Sequence, residues 1–308
     1  MKRVVLAYSG SRAAALAIPR LAEKYDAEII GLVLDVGQGK DLEVIRDRAL
    51  ASGAVRAHVL DVREEFARQY VLRALRADAL FRDGRSLMSA LLRPLIAQKL
   101  VEIADIEGTL AIAHGYPPED VGISTAARAL NPKMKVLASL PRASGSSTSI
   151  PIAKPPADCP DEPALLDITF ERGSPTAVNG IAMSLIDSWS TVAVIAAAHG
   201  IGNLAQTDAA AATVLQAAHR EVQRLALSEV AQSFTTMVSE QYANIIASGS
   251  WFSALREALD AYVDKILHYA DGTIRLKLFK GTCEVVDRTP STRHYTTKHL
   301  IMTTASDH

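Results

Sequence analysis

RVVLAYSGSRAAALAIPRLAEKYDAEIIGLVLD, residues 3–35, sets the fold class. Its first six residues form a short β-rich apolar run of the kind buried on both faces, and the helical pattern of residues 13–25 follows, interrupted only by Pro19. Residues 29–35, IIGLVLD, return to strand character. A strand, a helix and a second strand at this spacing make a βαβ unit. The pattern continues outward with a charged helix at 41–52, a strand at 55–61 (VRAHVLD), helices at 63–80 and 93–106, and strand runs at 109–113 and 135–140. These elements predict a doubly wound parallel sheet covered on both faces, with ligands expected outside the carboxyl ends of the strands. Those ends are near residues 8–12, 35–39 and 114–116.

Between Pro141 and Pro163 the chain is rich in Ser and Pro and has no periodicity, which reads as a linker or lid. Beyond it the pattern becomes α+β. Strand-like LLDITFE at 165–171 is followed by a turn at 173–175, a short strand to Val178 and the turn dipeptide Asn179-Gly180. Helical stretches at 183–199, 208–227 and 253–269 precede a hairpin around Lys280-Gly281. The expected domains are therefore 1–145, a linker at 146–163, and 164–308.

Across 308 residues, 33 Lys and Arg balance 34 Asp and Glu, so no charge excess favours nucleic acid or an anionic membrane. With 49% hydrophobic and 22% charged residues the chain can bury two cores. Its most apolar stretch, 192–198, is far shorter than the roughly 18 residues of a membrane span. No secretory leader is read at the start. Two cysteines, Cys159 and Cys283, make neither a disulfide framework nor a zinc site, and the expected location is the cytoplasm.

Specific segments resemble argininosuccinate synthase in order along nearly the whole chain. They include AYSG (7–10), DVGQGKDLEVIRDRAL (35–50), RPLIAQKLVEIA (93–104), AHG (113–115), FERGSPTAVNG (170–180), AATVLQAAHR (211–220), WFSALREAL (251–259) and GTIRLKLFKGTCEVV (272–286). The resemblance implies an adenine nucleotide alpha hydrolase-like first domain with an ATP pyrophosphatase loop, and a second α+β domain specific to that family. It further implies joining of citrulline to aspartate, driven by adenylation of the ureido oxygen and release of pyrophosphate.

The residues that would do this chemistry differ. Where the family's phosphate turn reads SGGLDTS, this chain has Ser9, Gly10, Ser11, Arg12 and three alanines. A glycine, the acidic residue and two hydroxyls of the cradle are replaced, which reads as a degenerate loop. The citrulline-side segment YPLGTSLARP becomes RSLMSALLRP at 85–94, with Arg85 and Ser89 the polar residues there. After His114-Gly115 the family's CTGKGNDQVRFE is replaced by YPPEDVGISTAA at 116–127. Matches fall on the scaffold and departures on the pocket, so the fold is read as kept for another purpose.

The candidate catalytic set is His114 as a base, Tyr116 as a hydroxyl donor and Asp120 as a carboxylate able to hold the histidine ring. Candidate substrate-binding residues are Tyr8, Ser9, Ser11, Arg12, Asp35, Gln38, Arg85 and Ser89, with Glu119 also near the strand ends. For Asp35 and Gln38 turn hydrogen bonds are the alternative to ligand contact, and for His114 the alternative is a structural role, backbone hydrogen bonds at the strand end. No His, Cys and carboxylate spacing suggests a metal, and no cofactor is expected, Mg-ATP being the disfavoured exception. Three functions follow. The first is a non-adenylating small-molecule enzyme of specialised metabolism. The second is a catalytically silent homologue that binds a metabolite or partner protein, and the third an ATP-dependent C–N ligase with a rebuilt phosphate site. A small-molecule ligand is expected in each enzymatic case, with a homodimer through the second-half helices as an open option.

Overall fold

A computed structural model describes residues 2–39, 41–116, 120–137, 154–202 and 209–291. The chain divides into two compact units: 1–70 with 89–149 and 244–256, and 71–88 with 150–243 and 257–308.

In the first unit, β1 (Lys2–Ala7), α1 (Arg12–Tyr25), β2 (Ala27–Asp35), α2 (Leu42–Ala51) and β3 (Arg56–Asp61) follow the predicted alternation. The stretch predicted as one helix from 63 to 80 is instead α3 (Arg63–Glu65), a π-helical turn at Phe66–Val71, and α4 (Leu72–Arg76). It ends where Asp78 takes a left-handed φ of 54°. α4 and a short hairpin, β4 (Phe81–Arg82) and β5 (Arg85–Ser86), belong to the second unit; the first resumes with α5 (Met88–Ile106), then β6 (Ala111–Ala113), α6 (Gly122–Leu130) and β7 (Lys135–Leu137). The sheet is parallel, in the order β3-β2-β1-β6-β7.

Strand alternation sends side chains to both faces. Val4, Leu6 and Ile29 pack with Ile18, Leu21 and Ala49 of α1 and α2. Val5, Ile30 and Leu32 pack with Leu100, Ala104, Ile123 and Ala127 of α5 and α6. Two cores on opposite faces of one parallel sheet leave its strand ends as the open side.

The second unit holds β8 (Ala164–Glu171), β9 (Ser174–Val178), β10 (Ile181–Ala182), α7 (Leu185–Ala198), α8 (Ala209–Ala226), most of α9 (Glu229–Ser248) and of α10 (Ala254–Ile266), β11 (Gly272–Phe279) and β12 (Thr282–Pro290). Its sheet is antiparallel, ordered β10-β9-β8-β11-β12. Leu166, Ile168, Ile274 and Leu276 are fully buried on the face that meets α8. The Asn179-Gly180 turn and the Lys280-Gly281 hairpin form where the sequence places them, with positive φ at all four residues.

Two segments lie outside a simple division of the chain into first and second halves. Segment 71–88 joins the second unit because α8 fastens it: Gln216 Oε1 accepts from Leu80 N at 3.2 Å, Gln216 Nε2 donates to the Asp78 carbonyl, and Arg220 pairs with Asp78 at 2.8 Å. Segment 244–256 joins the first because Trp251 stacks on Tyr70, ring centroids 5.1 Å apart. Of the expected linker, 146–153 lies outside the described residues. Its remainder holds a 3₁₀ turn at Pro156–Asp158 and buried Cys159.

Candidate functional site

The turn after β1 is shaped by Gly10, whose φ of +73° is left-handed and where a Cβ would lie 2.9 Å from the Ile45 side chain. Arg48 Nη1 donates to the Gly10 carbonyl at 2.8 Å, tying the turn to α2. Ser11 caps α1, its Oγ accepting from Ala14 N at 3.2 Å and from Ser9 Oγ at 3.1 Å. Both hydroxyls are thus engaged locally. The first turn of α1 has no acidic residue. Arg12 is exposed at the first helical position, without a hydrogen bond or ion pair among the described residues. Tyr8 is 3% exposed and packs in the core beneath α1 and α2, so it does not line the open side. Burial raises its pKa, while Ser52 and Arg48 pull it back.

At the end of β2, Asp35 Oδ1 accepts from Gly37 N at 2.9 Å. Gln38 staples the same turn, its Oε1 accepting from Val36 N and its Nε2 donating to the Leu34 carbonyl, each at 2.8 Å. These are the turn bonds the sequence offered as the alternative to ligand contact. The charged group here that the sequence reading missed is Arg63, which pairs with Asp61 at 2.6 Å and lies 3.5 Å from Asp35. Hydrogen bonds from Arg63 hold the Asp61 carboxyl down to about 2. Its place two residues past a strand end was the available signal.

The third group lies at the end of β6. His114 is 5% exposed, and its Nδ1 accepts from Tyr116 N at 3.3 Å. The two rings meet edge to face, centroids 6.0 Å apart. Asp120 does not hold the histidine ring as expected. Its Oδ2 pairs with Arg93 Nη2 of α5 at 2.7 Å, and its Oδ1 accepts from Gly122 N at 3.2 Å. The Arg93 guanidinium also lies 5.9 Å from the Tyr116 ring centre. Burial pushes the His114 pKa down, and the Asp120 charge raises it in part. Arg93 is the second residue the sequence reading did not assign. Its pairing spans 27 positions and left no local pattern.

Tyr116 and Asp120 are therefore brought together at Arg93, with the His114 ring against Tyr116, while Ser9 and Ser11 form a separate pair and Asp35 and Gln38 a separate turn. Ser89 is exposed in the first turn of α5. Arg85 is exposed on β5, in the second unit. Glu119 lies outside the described residues. Among the described residues no three His, Cys, Asp or Glu side chains are grouped to hold a metal ion, and no helix is long and apolar enough to cross a membrane.

Residues 3–150 match the family model for the arginosuccinate synthase N-terminal HUP domain, and residues 147–308 that for the arginosuccinate synthase C-terminal domain. Among similar proteins, an argininosuccinate synthase of Carboxydothermus hydrogenoformans is 33% identical over 344 residues, covering 91% of this chain and 86% of the relative. One from Dehalococcoides mccartyi is 35% identical over 354 residues, covering 93% and 86%. One from Bacillus cereus is 34% identical over 350 residues, covering 93% and 87%. Each comparison runs longer than the 308 residues of this chain, so the relatives carry segments without a counterpart here.

Proposed function

Because the chain belongs to the argininosuccinate synthase family, we propose that it uses the family's scaffold as an enzyme on another small molecule, of specialised metabolism, without adenylating it. The observation that carries this reading is the donor set of the turn after β1. A pyrophosphate cradle needs free hydroxyls and amides, and a metal-bound triphosphate favours a nearby carboxylate. Ser9 and Ser11 are bonded to each other and to α1, residues 13–15 are alanine, and no acidic residue stands in the first turn. The polar chemistry concentrates instead at the end of β6, on Tyr116 and Asp120, which differ from the family's pattern.

Incubation of the full chain with citrulline, aspartate and ATP, followed by assay of argininosuccinate and pyrophosphate, tests the proposal. No product above background is expected. Turnover near the roughly 1 s⁻¹ or more typical of enzymes overturns it.

The 33–35% identity to argininosuccinate synthases over more than nine-tenths of the chain favours a second reading, an ATP-dependent C–N ligase with a rebuilt phosphate site. Here Arg12 and the α1 N-terminus would supply the positive potential. Calorimetric titration with Mg-ATP separates the two. Micromolar binding that disappears in a Ser9→Ala, Arg12→Ala double variant supports the ligase, and no binding at millimolar ATP retires it.

A further inference from the structure

We propose that His114 is a fixed hydrogen-bond donor, offering Nε2–H to an uncharged carbonyl oxygen of the ligand bound at the end of β6. The proposal rests on the reading above only in assuming that a small molecule binds there. It replaces the expectation that this histidine is a base.

The geometry of the ring carries the argument. Nδ1 accepts the backbone N–H of Tyr116, so Nδ1 bears no proton while that bond stands. The neutral imidazole must then carry its one proton on Nε2. For Nε2 to act as a base, the proton would have to sit on Nδ1, where it would point at the Tyr116 N–H. That tautomer breaks a bond to a backbone donor at a nearly buried position and gains no described partner in exchange. Nε2 has no hydrogen-bond partner among the described residues. It is therefore the donor left for a ligand.

Charge balance specifies the acceptor. Edge-on to the ring stands Tyr116, which is neutral, and the charge that acts on the ring is that of Asp120, which pairs with Arg93 at 2.7 Å. Asp120 acts on His114 electrostatically, so an incoming carboxylate would meet a like charge beside the donor. A ketone, amide or ester oxygen meets none. A neutral imidazole that donates to a carbonyl oxygen polarises it without giving up its proton, which suits attack at or proton removal beside that carbonyl.

The test is nitrogen-15 NMR of the full chain with labelled histidine, the His114 signals being identified by their loss in His114→Gln and His114→Asn. Expected is a protonated Nε2 and an unprotonated Nδ1 at pH 7, unchanged on lowering the pH to 6. A protonated Nδ1 at pH 7 overturns the proposal. In the same samples acetamide and acetate serve as isosteric probes. Acetamide is expected to shift the Nε2–H signal saturably and at least several-fold more tightly than acetate, and Asp120→Asn is expected to reverse that order. A wild-type preference for acetate, or no shift with either probe, overturns the assignment of the ligand. These readouts do not depend on ATP, so they fail or hold separately from the assay for argininosuccinate.

Discussion

Arg93 Nη2 reaches Asp120 Oδ2 at 2.7 Å, and the stem of the same arginine runs so close to Gly122 that a Cβ there would lie 2.7 Å from its Cδ. The arginine thus lies along the N-terminus of α6, and the carboxylate bonds that N-terminus through Gly122 N. Asp120 is only 14% exposed in its side chain, so losing its cation leaves a charge poorly solvated. Arg93→Ala is expected to lower stability by about 1–3 kcal/mol in urea unfolding. The Arg93→Ala, Asp120→Asn double variant should recover part of the loss. Equal losses in the two variants would mean that the pair is not the cause.

Gly249 makes a second close approach to the same helix start. Its φ is +75°, and a Cβ there would lie 2.5 Å from both Gly122 Cα and the Gly122 carbonyl oxygen. Backbone cannot give way as a side chain can. Gly249→Ala therefore combines left-handed strain with overpacking and is expected to cost about 2–4 kcal/mol. Because the displaced residue follows Asp120 by two, the His114 ring signals should also move. A variant with wild-type unfolding and unmoved ring signals would show that the contact is not needed.

The parts of this arrangement legible in the sequence are those governed by local chemistry. β1 and β2 show in RVVLAY and IIGLVLD because β-branched and apolar residues run together there, and the Asn179-Gly180 turn shows because few other residue pairs accept two left-handed positions. α9 did not show. It buries Val238, Tyr242, Ile245 and Ile246 yet exposes Val230, Phe234 and Met237, so apolar residues on both sides blur the 3.6-residue period. α6 hides for another reason, since it begins at a glycine after Val121, whose side chain cannot cap it, and the preceding residues, Tyr116 onward, read as a loop. Of the site, the turn roles of Asp35 and Gln38 could be read from two-to-four-residue spacing. The partners of Asp120 and Asp61 could not, because ion pairs are set by which elements the fold brings side by side.

Glu107 gives the first unit a defined acid sensitivity. Its side chain is 2% exposed, and it accepts from His58 Nε2 at 2.8 Å and Arg56 Nη1 at 2.7 Å, with Arg3 Nη1 3.5 Å away. The His58 bond, with Arg56 adding to it, holds the carboxyl below its usual value. A carboxyl with a depressed folded pKa stabilises the native state above the unfolded value, and that contribution is lost as pH falls through the folded one. Glu107→Gln should therefore lower Tm at pH 7, with a cost of about 1–2 kcal/mol. Its deficit relative to wild type should shrink as pH falls from about 5 toward 3. A deficit constant across that range would show that the carboxylate charge is not what matters.

His219 in α8 sets a different acid response in the second unit. It is fully buried against Gly173 and the edge of Phe170, and neither ring nitrogen has a hydrogen-bond partner among the described residues. Burial, with Arg76 and Arg220 adding to it, pushes its pKa down to about 3. The native ring therefore stays neutral where an unfolded histidine, with a pKa near 6.5, already binds a proton. Between those values the unfolded state holds more protons, so stability rises with pH and is lost on acidification from about 6.5 toward 3. His219→Leu removes both the titration and two unsatisfied nitrogens. It is expected to raise stability at pH 7 by about 1–2 kcal/mol, because a buried polar atom without a partner costs more than the apolar group that replaces it. It should also flatten the slope of Tm against pH from 6.5 to 4, a range mostly above that in which Glu107→Gln acts. A histidine with a hidden partner would give the opposite sign, with the leucine variant less stable at pH 7, and thermal unfolding of the two single variants and their combination across pH 4–8 distinguishes the cases.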